Sequence, residues 1–379
     1  MSVRRGPLSG LRVLELAGIG PVPFACMLLA DAGADVVRID RPSAVGELGN
    51  ILDRGRRSIA LDLKDSVDRE TAFLLASQAE ILVEGLRPGV IERLGFGPAQ
   101  LHQRNPRLVI GRMTGWGQTG PLANSAGHDI NYIAISGALS SIGPPFGPPT
   151  PPLNLIGDFG GGAMMLLFGV LSALFEARTS GHGQVVDAAM SDGSIALMGI
   201  FPWMRSQGRW SAPRGGNWMD GGSHYYNSYC CADGKYVAVG AVEPQFYAVL
   251  CDTLGLLDDP LFETQNDPAR WPEQKRRMAE IFLTRTRLQW CIVFEGRDAC
   301  FSPVLDLDEV ATHPHNSARG AIVRAFGLEQ PAPVPRFSRT PGEIAGPPAT
   351  VGSDRDEVLS DWLHKTAHET PKYGTTPSI

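Results

Sequence analysis

Apolar positions in the first 115 residues fall into short unbroken runs, separated by longer stretches in which they recur at helical spacing. The runs "LRVLELA" (11–17), "ADVVRID" (34–40), "EILVEG" (80–85) and "RLVIGRM" (107–113) read as buried strands. Between them, helical spacing covers about 22–32, 65–78 and 87–104. This alternation predicts parallel strands joined by helical crossovers.

A Pro-rich break, "IGPPFGPPTPPLN" (142–154), interrupts the pattern. The segment from Phe159 to Phe175 then runs 17 residues without a charge, bounded by Asp158 and Glu176. Spanning a bilayer takes about 20 apolar residues, so a buried core helix is expected. Another strand, "GQVVDAA" (183–189), precedes a Gly- and Trp-rich stretch, "SQGRWSAPRGGNWMDGGS" (206–223). Beyond it "YYNSYCCADGKYVAVGAV" reads as a hairpin turning at Asp233-Gly234, and 244–300 is mainly amphipathic helix. The expected division is a discontinuous large α/β domain (1–200 and 325–379), a smaller α+β domain (224–315), and linkers at 201–223 and 316–324. "VPRFSRTPG" (334–342) is turn-like and the tail after Trp362 is polar.

Totals narrow the function classes. The 379 residues suffice for two or three domains with a sizeable core, and the 44 glycines and 30 prolines imply many tight turns. A formal net charge of -6 argues against a dedicated nucleic-acid binder, so an anionic ligand needs a local basic cluster. The six cysteines show no CxxC pair and no metal spacing, and the opening "MSVRRGPLSG" lacks a signal-length apolar stretch; a cytoplasmic protein with reduced thiols and no membrane partner is expected.

Several motifs carry candidate chemistry. "GIGPVP" (18–23) with Asp40 has the outline of a dinucleotide fingerprint, but Pro23 replaces the third glycine, which favours a plain strand-to-helix turn. Arg38, Arg41, Arg54, Arg56, Arg57 and Lys64, with Arg87 and Arg93, form either a polyphosphate clamp or a solvated charged face. In "PLNLIGDFGGG" (152–162), Asp158 reads as a helix N-cap, a catalytic carboxylate, or both. Triple glycine is costly in a helix, at roughly 1 kcal/mol per residue relative to alanine, so it signals close backbone approach. In "AGHDINY" (126–132), His128 is either a structural histidine with Asp129 as cap or an acid/base group titrating near neutrality. No GxSxG, HExxH or P-loop pattern occurs, and His313 and His315 in "THPHN" lack further ligands. Met190, Met198, Met204 and Met219 are core residues or the lining of an adaptable acyl pocket.

Taken together, "GPLSGLRVLELAG", "LLADAGADVVRIDRP", "GRRSIALDLK", "RLVIGRMTGWGQTGP", "AGHDINY", "PLNLIGDFGGG" and "GQVVDAAM", in that order, resemble the family III CoA-transferase superfamily over about residues 6–340. The resemblance implies a Rossmann-like large domain plus a smaller α+β domain in an interlocked homodimer. In the transferases the aspartate matching Asp158 is a nucleophile, and an aromatic usually stands at the position of His128; the histidine here resembles the racemase branch, whose substrates are 2-methylacyl-CoA thioesters. That branch implies an acid/base pair at His128 and Asp158 and a supporting carboxylate at Glu243. It further implies CoA contacts at Arg41, at Leu61, Asp62, Leu63 and Lys64, at Gly85, Leu86 and Arg87, at Arg93, and at Gly127, Asp129, Ile130, Asn131 and Tyr132. No separate cofactor or metal is called for, CoA being part of the substrate. A CoA-transferase using Asp158 as nucleophile and a non-catalytic acyl-CoA-binding relative are the alternatives.

Overall fold

The computed structural model describes residues 4–45, 49–211 and 213–364. The chain divides into two compact units, the first formed by Met1–Tyr132, Asn154–Ala196 and Ile322–Ile379, the second by Ile133–Leu153 and Leu197–Ala321.

The first unit is built on β1 (Arg12–Leu16), β2 (Asp35–Asp40), β3 (Arg57–Ala60), β4 (Ile81–Glu84), β5 (Val109–Thr114) and β6 (Val185–Ala189). These six form one parallel sheet in the order β3-β2-β1-β4-β5-β6. That is the doubly wound dinucleotide-fold order, whose direction reverses between β1 and β4, and ligands of such sheets bind beyond the carboxyl ends of the strands flanking the reversal. The helices are α1 (Pro21–Asp31), α2 (Ser66–Gln78), α3 (Val90–Arg93), α4 (Pro98–Arg104), α5 (Asp129–Ile135, which ends in the second unit), α6 (Met164–Ser180) and α7 (Met190–Leu197). Leu11, Val13 and Val83 pack with α1 and α6 on one face of the sheet; Leu14, Leu82 and Ile110 pack with α2 on the other, where Val358 and Trp362 from the far end of the chain join them.

Four expectations are corrected here. Strand β3 is absent from the apolar pattern because "RRSI" places cations where a strand should be apolar; Arg57 is buried by bonding Asp35 at 2.6 Å and Asp361 at 2.9 Å. The same pairing removes most of the presumed phosphate clamp. Arg56 sits on Glu15 with both side chains fully buried, Arg54 on Asp31, and Arg38 on Asp40 and Asp53, so these cations neutralise buried carboxylates rather than a ligand. The helical stretch 87–104 is two helices, divided where Gly95 takes φ 68 and Phe96 turns into the core. Finally, α6 does not begin at Asp158: a π-helical stretch, Leu155–Ala163, runs into it, and Asp158 lies inside that stretch rather than capping it. The joined run Leu155–Ser180 is long and apolar enough to cross a membrane by length and composition alone. One side, with Leu166, Val170 and Leu174, packs in the core, whereas Phe168 and Phe175 are 74% and 79% exposed.

The second unit contains α8 (Ile200–Ser206), then β7 (Tyr226–Cys230), β8 (Tyr236–Gly240) and β9 (Phe301–Pro303) in one antiparallel sheet, with α9 (Pro244–Leu254), α10 (Trp271–Phe282), α11 (Arg287–Phe294) and α12 (Pro314–Ala318). Tyr229, Val237, Leu250, Met278 and Phe282 are central to its core. The β7–β8 turn uses Gly234 at φ 75, which suits glycine. Residues 133–153, expected in the large domain, belong to this unit, as do the expected linkers up to Ala321. Arg214 ties the Pro-rich segment down by donating to the carbonyls of Pro144 (2.8 Å), Ser140 (3.0 Å) and Gly147 (3.0 Å). A hairpin of β10 (Ile322–Ala325) and β11 (Leu328–Pro331) returns the chain to the first unit, where α13 (Arg355–Leu359) runs on into a π-helical turn, Ser360–His364.

Candidate active site

Two cavities open in the first unit at the carboxyl ends of its strands. One, of about 590 Å³, is lined by the turn after β1 (Ile19, Gly20), the turn after β4 (Gly85 to Pro88), and Trp116, His128, Asn131, Tyr132 and Asp158. The other, of about 450 Å³, is lined by Arg41, by Leu61 to Lys64 and by Leu86, which borders both.

The turn after β4 is held from below. Glu84, fully buried, accepts from the Leu86 amide at 2.6 Å and from the Arg112 Nε at 2.7 Å, and Arg112 continues to Glu92. Burial pushes the Glu84 carboxyl upward, against the pull of Arg112 and the amide. Gly85 passes so near α1 that a β-carbon there would stand 3.0 Å from Val22. The glycine-rich loop after β5 has a similar steric origin. The Tyr132 ring lies across it, within 2.1 Å of where a β-carbon would stand on Gly115 and 2.8 Å on Gly127. The Tyr132 hydroxyl donates to the Gly127 carbonyl, and Trp116 meets the ring edge-on at 4.8 Å.

His128 occupies the residue before α5. Its amide donates to Asn131 Oδ1 at 3.1 Å, and its carbonyl accepts from the amides of Asn131 (2.8 Å) and Tyr132 (3.3 Å). Asn131 thus performs the returning half of a capping box, and the imidazole is left exposed to the cavity. Asp129 does not act as the expected cap. It is buried at 6% exposure, and its Oδ2 accepts from the Asp158 amide at 2.7 Å.

Asp158 projects from the π-helical stretch, an irregularity that recurs at functional sites because it re-aims side chains. Its Oδ2 accepts from Asn154 Nδ2 at 3.3 Å and lies against Gly20, whose φ of 64 and missing β-carbon leave it room. Burial raises the Asp158 carboxyl above the usual aspartate range and the Asp129 charge adds to that, while Asn154 and His128 work against it. The triple glycine now has its reason. A β-carbon on Gly161 would stand 2.6 Å from the Ser194 amide, and one on Gly162 2.9 Å from Met190. The stretch also stacks Phe159 on Phe24 at 4.4 Å.

Residues 8–355 match CoA-transferase family III. The chain belongs to this family. It is 46% identical over 357 residues to a protein named alpha-methylacyl-CoA racemase from Mus musculus, and 44% identical over 366 residues to one of the same name from Homo sapiens; each alignment covers 94% of this chain and 93% of the relative. The fold matches the crystal structure of a CAIB/BAIF family protein from Brucella suis with TM-score 0.81 at 22% identity, over 95% of this chain and all of that one.

Of the residues that family resemblance singles out, His128, Asp158, Gly85, Leu86, Arg87, Gly127, Asn131 and Tyr132 line the larger cavity, and Arg41, Leu61, Asp62, Leu63 and Lys64 the smaller. Three line neither: Arg93 is exposed on α3, Ile130 is 42% exposed, and Asp129 is turned inward onto Asp158. Glu243 lies in the second unit, exposed, at the residue before α9. Gly20, Trp116 and Asn154 were not foreseen. Gly20 was visible within "GIGPVP", but nothing local marks Asn154, which stands just before the π-helical stretch and reaches Asp158 four residues on.

Proposed function

We propose that this protein is an α-methylacyl-CoA racemase, interconverting (R)- and (S)-2-methylacyl-CoA thioesters. The observation that carries this is one cavity lined by both an exposed imidazole, His128, and a carboxyl held above its usual range, Asp158. The names of the mouse and human relatives support it. Racemisation requires the α-proton to leave one face and return to the other, so two proton-transfer groups are sufficient. His128 takes the proton from the (S)-substrate, the C–H electron pair passing into the thioester to give the planar enolate. Asp158, protonated, then delivers its proton to the opposite face, leaving imidazolium and carboxylate; the (R)-substrate reverses both steps. A carboxyl near neutrality must hold a proton part of the time to do this, and the raised Asp158 favours it.

The enolate oxygen needs a donor other than the Asp158 amide, which is occupied by Asp129. CoA is assigned to the two cavities joined at Leu86, with Arg41 and Lys64 as its cationic contacts. Glu243 is assigned, on the family resemblance, to orienting the imidazole within a homodimer; the exposed Phe168 and Phe175 are apolar surface that a second copy would cover. A cytoplasmic location accords with six unpaired thiols.

The test is α-proton exchange. Each 2-methylacyl-CoA enantiomer is incubated in deuterium oxide with wild type, His128→Ala and Asp158→Ala. Wild type washes deuterium into the α-position with inversion; exchange that persists unchanged in both variants rejects the pair, and trapping of an acyl-enzyme by hydroxylamine marks a transferase instead.

A further inference from the structure

Asp129 is a buried carboxylate with no place in the proton relay, and its contacts converge on Asp158. Oδ2 accepts from the Asp158 amide at 2.7 Å, while Oδ1 is buried and finds no hydrogen-bond partner. The fit is exclusive to glycine at the preceding residue: a β-carbon on Gly157 would stand 2.6 Å from Asp129 Oδ2. A side chain 29 residues away in sequence therefore fixes the main chain from which the Asp158 carboxyl projects, and brings a second negative charge beside it.

We infer that Asp129 is a positioning residue for Asp158, holding its backbone by the amide bond and keeping its carboxyl able to carry a proton by like-charge proximity. This rests on the racemase reading of Asp158. A neighbouring negative charge disfavours ionisation, so Asp158 keeps its proton to higher pH than it would without Asp129. The other ionisable groups facing Asp158 are His128, which opposes the effect, and Tyr132; Arg87 lines the same cavity. Those on the packed elements are engaged elsewhere or remote: Asp31 of α1 binds Arg54, Cys26 neighbours Glu15, Arg112 of β5 binds Glu84, and Asp187 of β6 accepts from the Gln118 amide. Glu176 and Arg178 stand in the last turns of α6, and Asp192 is on α7 outside the cavity lining. Asp129 is thus the carboxylate that bears directly on Asp158.

The experiment is a carboxyl titration by carbon-13 NMR of the full-length protein labelled at aspartate, with the Asp158 resonance assigned by Asp158→Asn, on wild type and Asp129→Asn. Asparagine keeps an oxygen for the Asp158 amide and removes the charge. The expected result is a midpoint for Asp158 lower in Asp129→Asn by about half a pH unit or more, with the acid limb of the kcat/KM profile moving the same way. An unchanged midpoint overturns the inference. Should Asp129→Asn fail to fold, the same Asp158 titration is made on Asp129→Ser, which also removes the charge and keeps an oxygen; a lowered Asp158 midpoint supports the inference and an unchanged one overturns it. The NMR readout needs no turnover, so a protein without racemase activity rejects the functional reading while leaving the carboxylate pair testable.

Discussion

Gly193 of α7 packs on Gly161 of the π-helical stretch so closely that a β-carbon on Gly193 would stand 1.8 Å from the Gly161 carbonyl oxygen. The contact is between main chains, so no side chain can move aside. Gly193→Ala is expected to destabilise the protein by about 3 kcal/mol, towards the severe end of overpacking effects, and to displace Asp158 with it. Gly346→Ala, with open space around the site, is the control. Thermal denaturation checks both; equal melting temperatures would contradict the tight contact.

The two-base arrangement gives each enantiomer its own dependence. His128→Ala should stop racemisation in both directions, with kcat/KM falling about 10²- to 10⁴-fold, yet leave Asp158 able to exchange the α-proton of the (R)-thioester without inversion. Asp158→Asn should show the mirror behaviour, exchanging only the (S)-thioester. Deuterium content and configuration of recovered thioester are the measurements, and loss of exchange from the same enantiomer in both variants would contradict the assignment.

The raised Asp158 carboxyl also has a stability consequence. Its folded value lies above the unfolded value of about 3.9, so the folded state binds the extra proton between the two. Its stabilising contribution is complete below the unfolded value and is lost as pH rises through the folded one. Once the pH has risen above the folded value the ionised, half-buried group costs stability, and Asp158→Asn should melt higher than wild type there. The gain should shrink towards pH 3, as followed by denaturation at a series of pH values.

Cations in the first unit should separate into two groups. Arg56→Met strands the fully buried Glu15 and is expected to cost about 3–5 kcal/mol, measured by urea unfolding. Arg41→Ala and Lys64→Ala remove exposed cations from the smaller cavity; they should leave the melting temperature nearly unchanged and raise KM for the acyl-CoA about tenfold, with a weaker salt dependence. A stable Arg56→Met with impaired CoA binding would reverse the assignment.

Glu243→Gln tests the remaining assigned carboxylate. Loss of its charge should lower kcat by about tenfold or more with KM little altered, as expected for a group that stabilises imidazolium only during proton transfer. Unaltered kcat would remove Glu243 from the reaction.

Much of this was legible along the chain. Four of the six strands of the first sheet stand out before residue 115 because strands buried on both faces must be apolar throughout, and β6 follows in "GQVVDAA". Strand β3 escaped because it opens on a cation, Arg57, that is neutralised by Asp35 and Asp361, the latter 304 residues away. The π-helical stretch escaped for a related reason. The charge-free run from Phe159 to Phe175 marks a core helix, but the wider turn that aims Asp158 is stabilised by contacts with Asp129, Gly20 and Ser194 from elsewhere in the chain.

The sequence by itself determined the alternating architecture, the family, and the two residues proposed for proton transfer, since apolar periodicity and motif order are local properties of the chain. Only the tertiary structure decided which charges are free to meet a ligand and which are spent on one another, and that Asp129 faces Asp158 rather than its own helix. Burial and pairing depend on which distant segments meet; a carboxylate's chemistry follows from the groups the fold places around it.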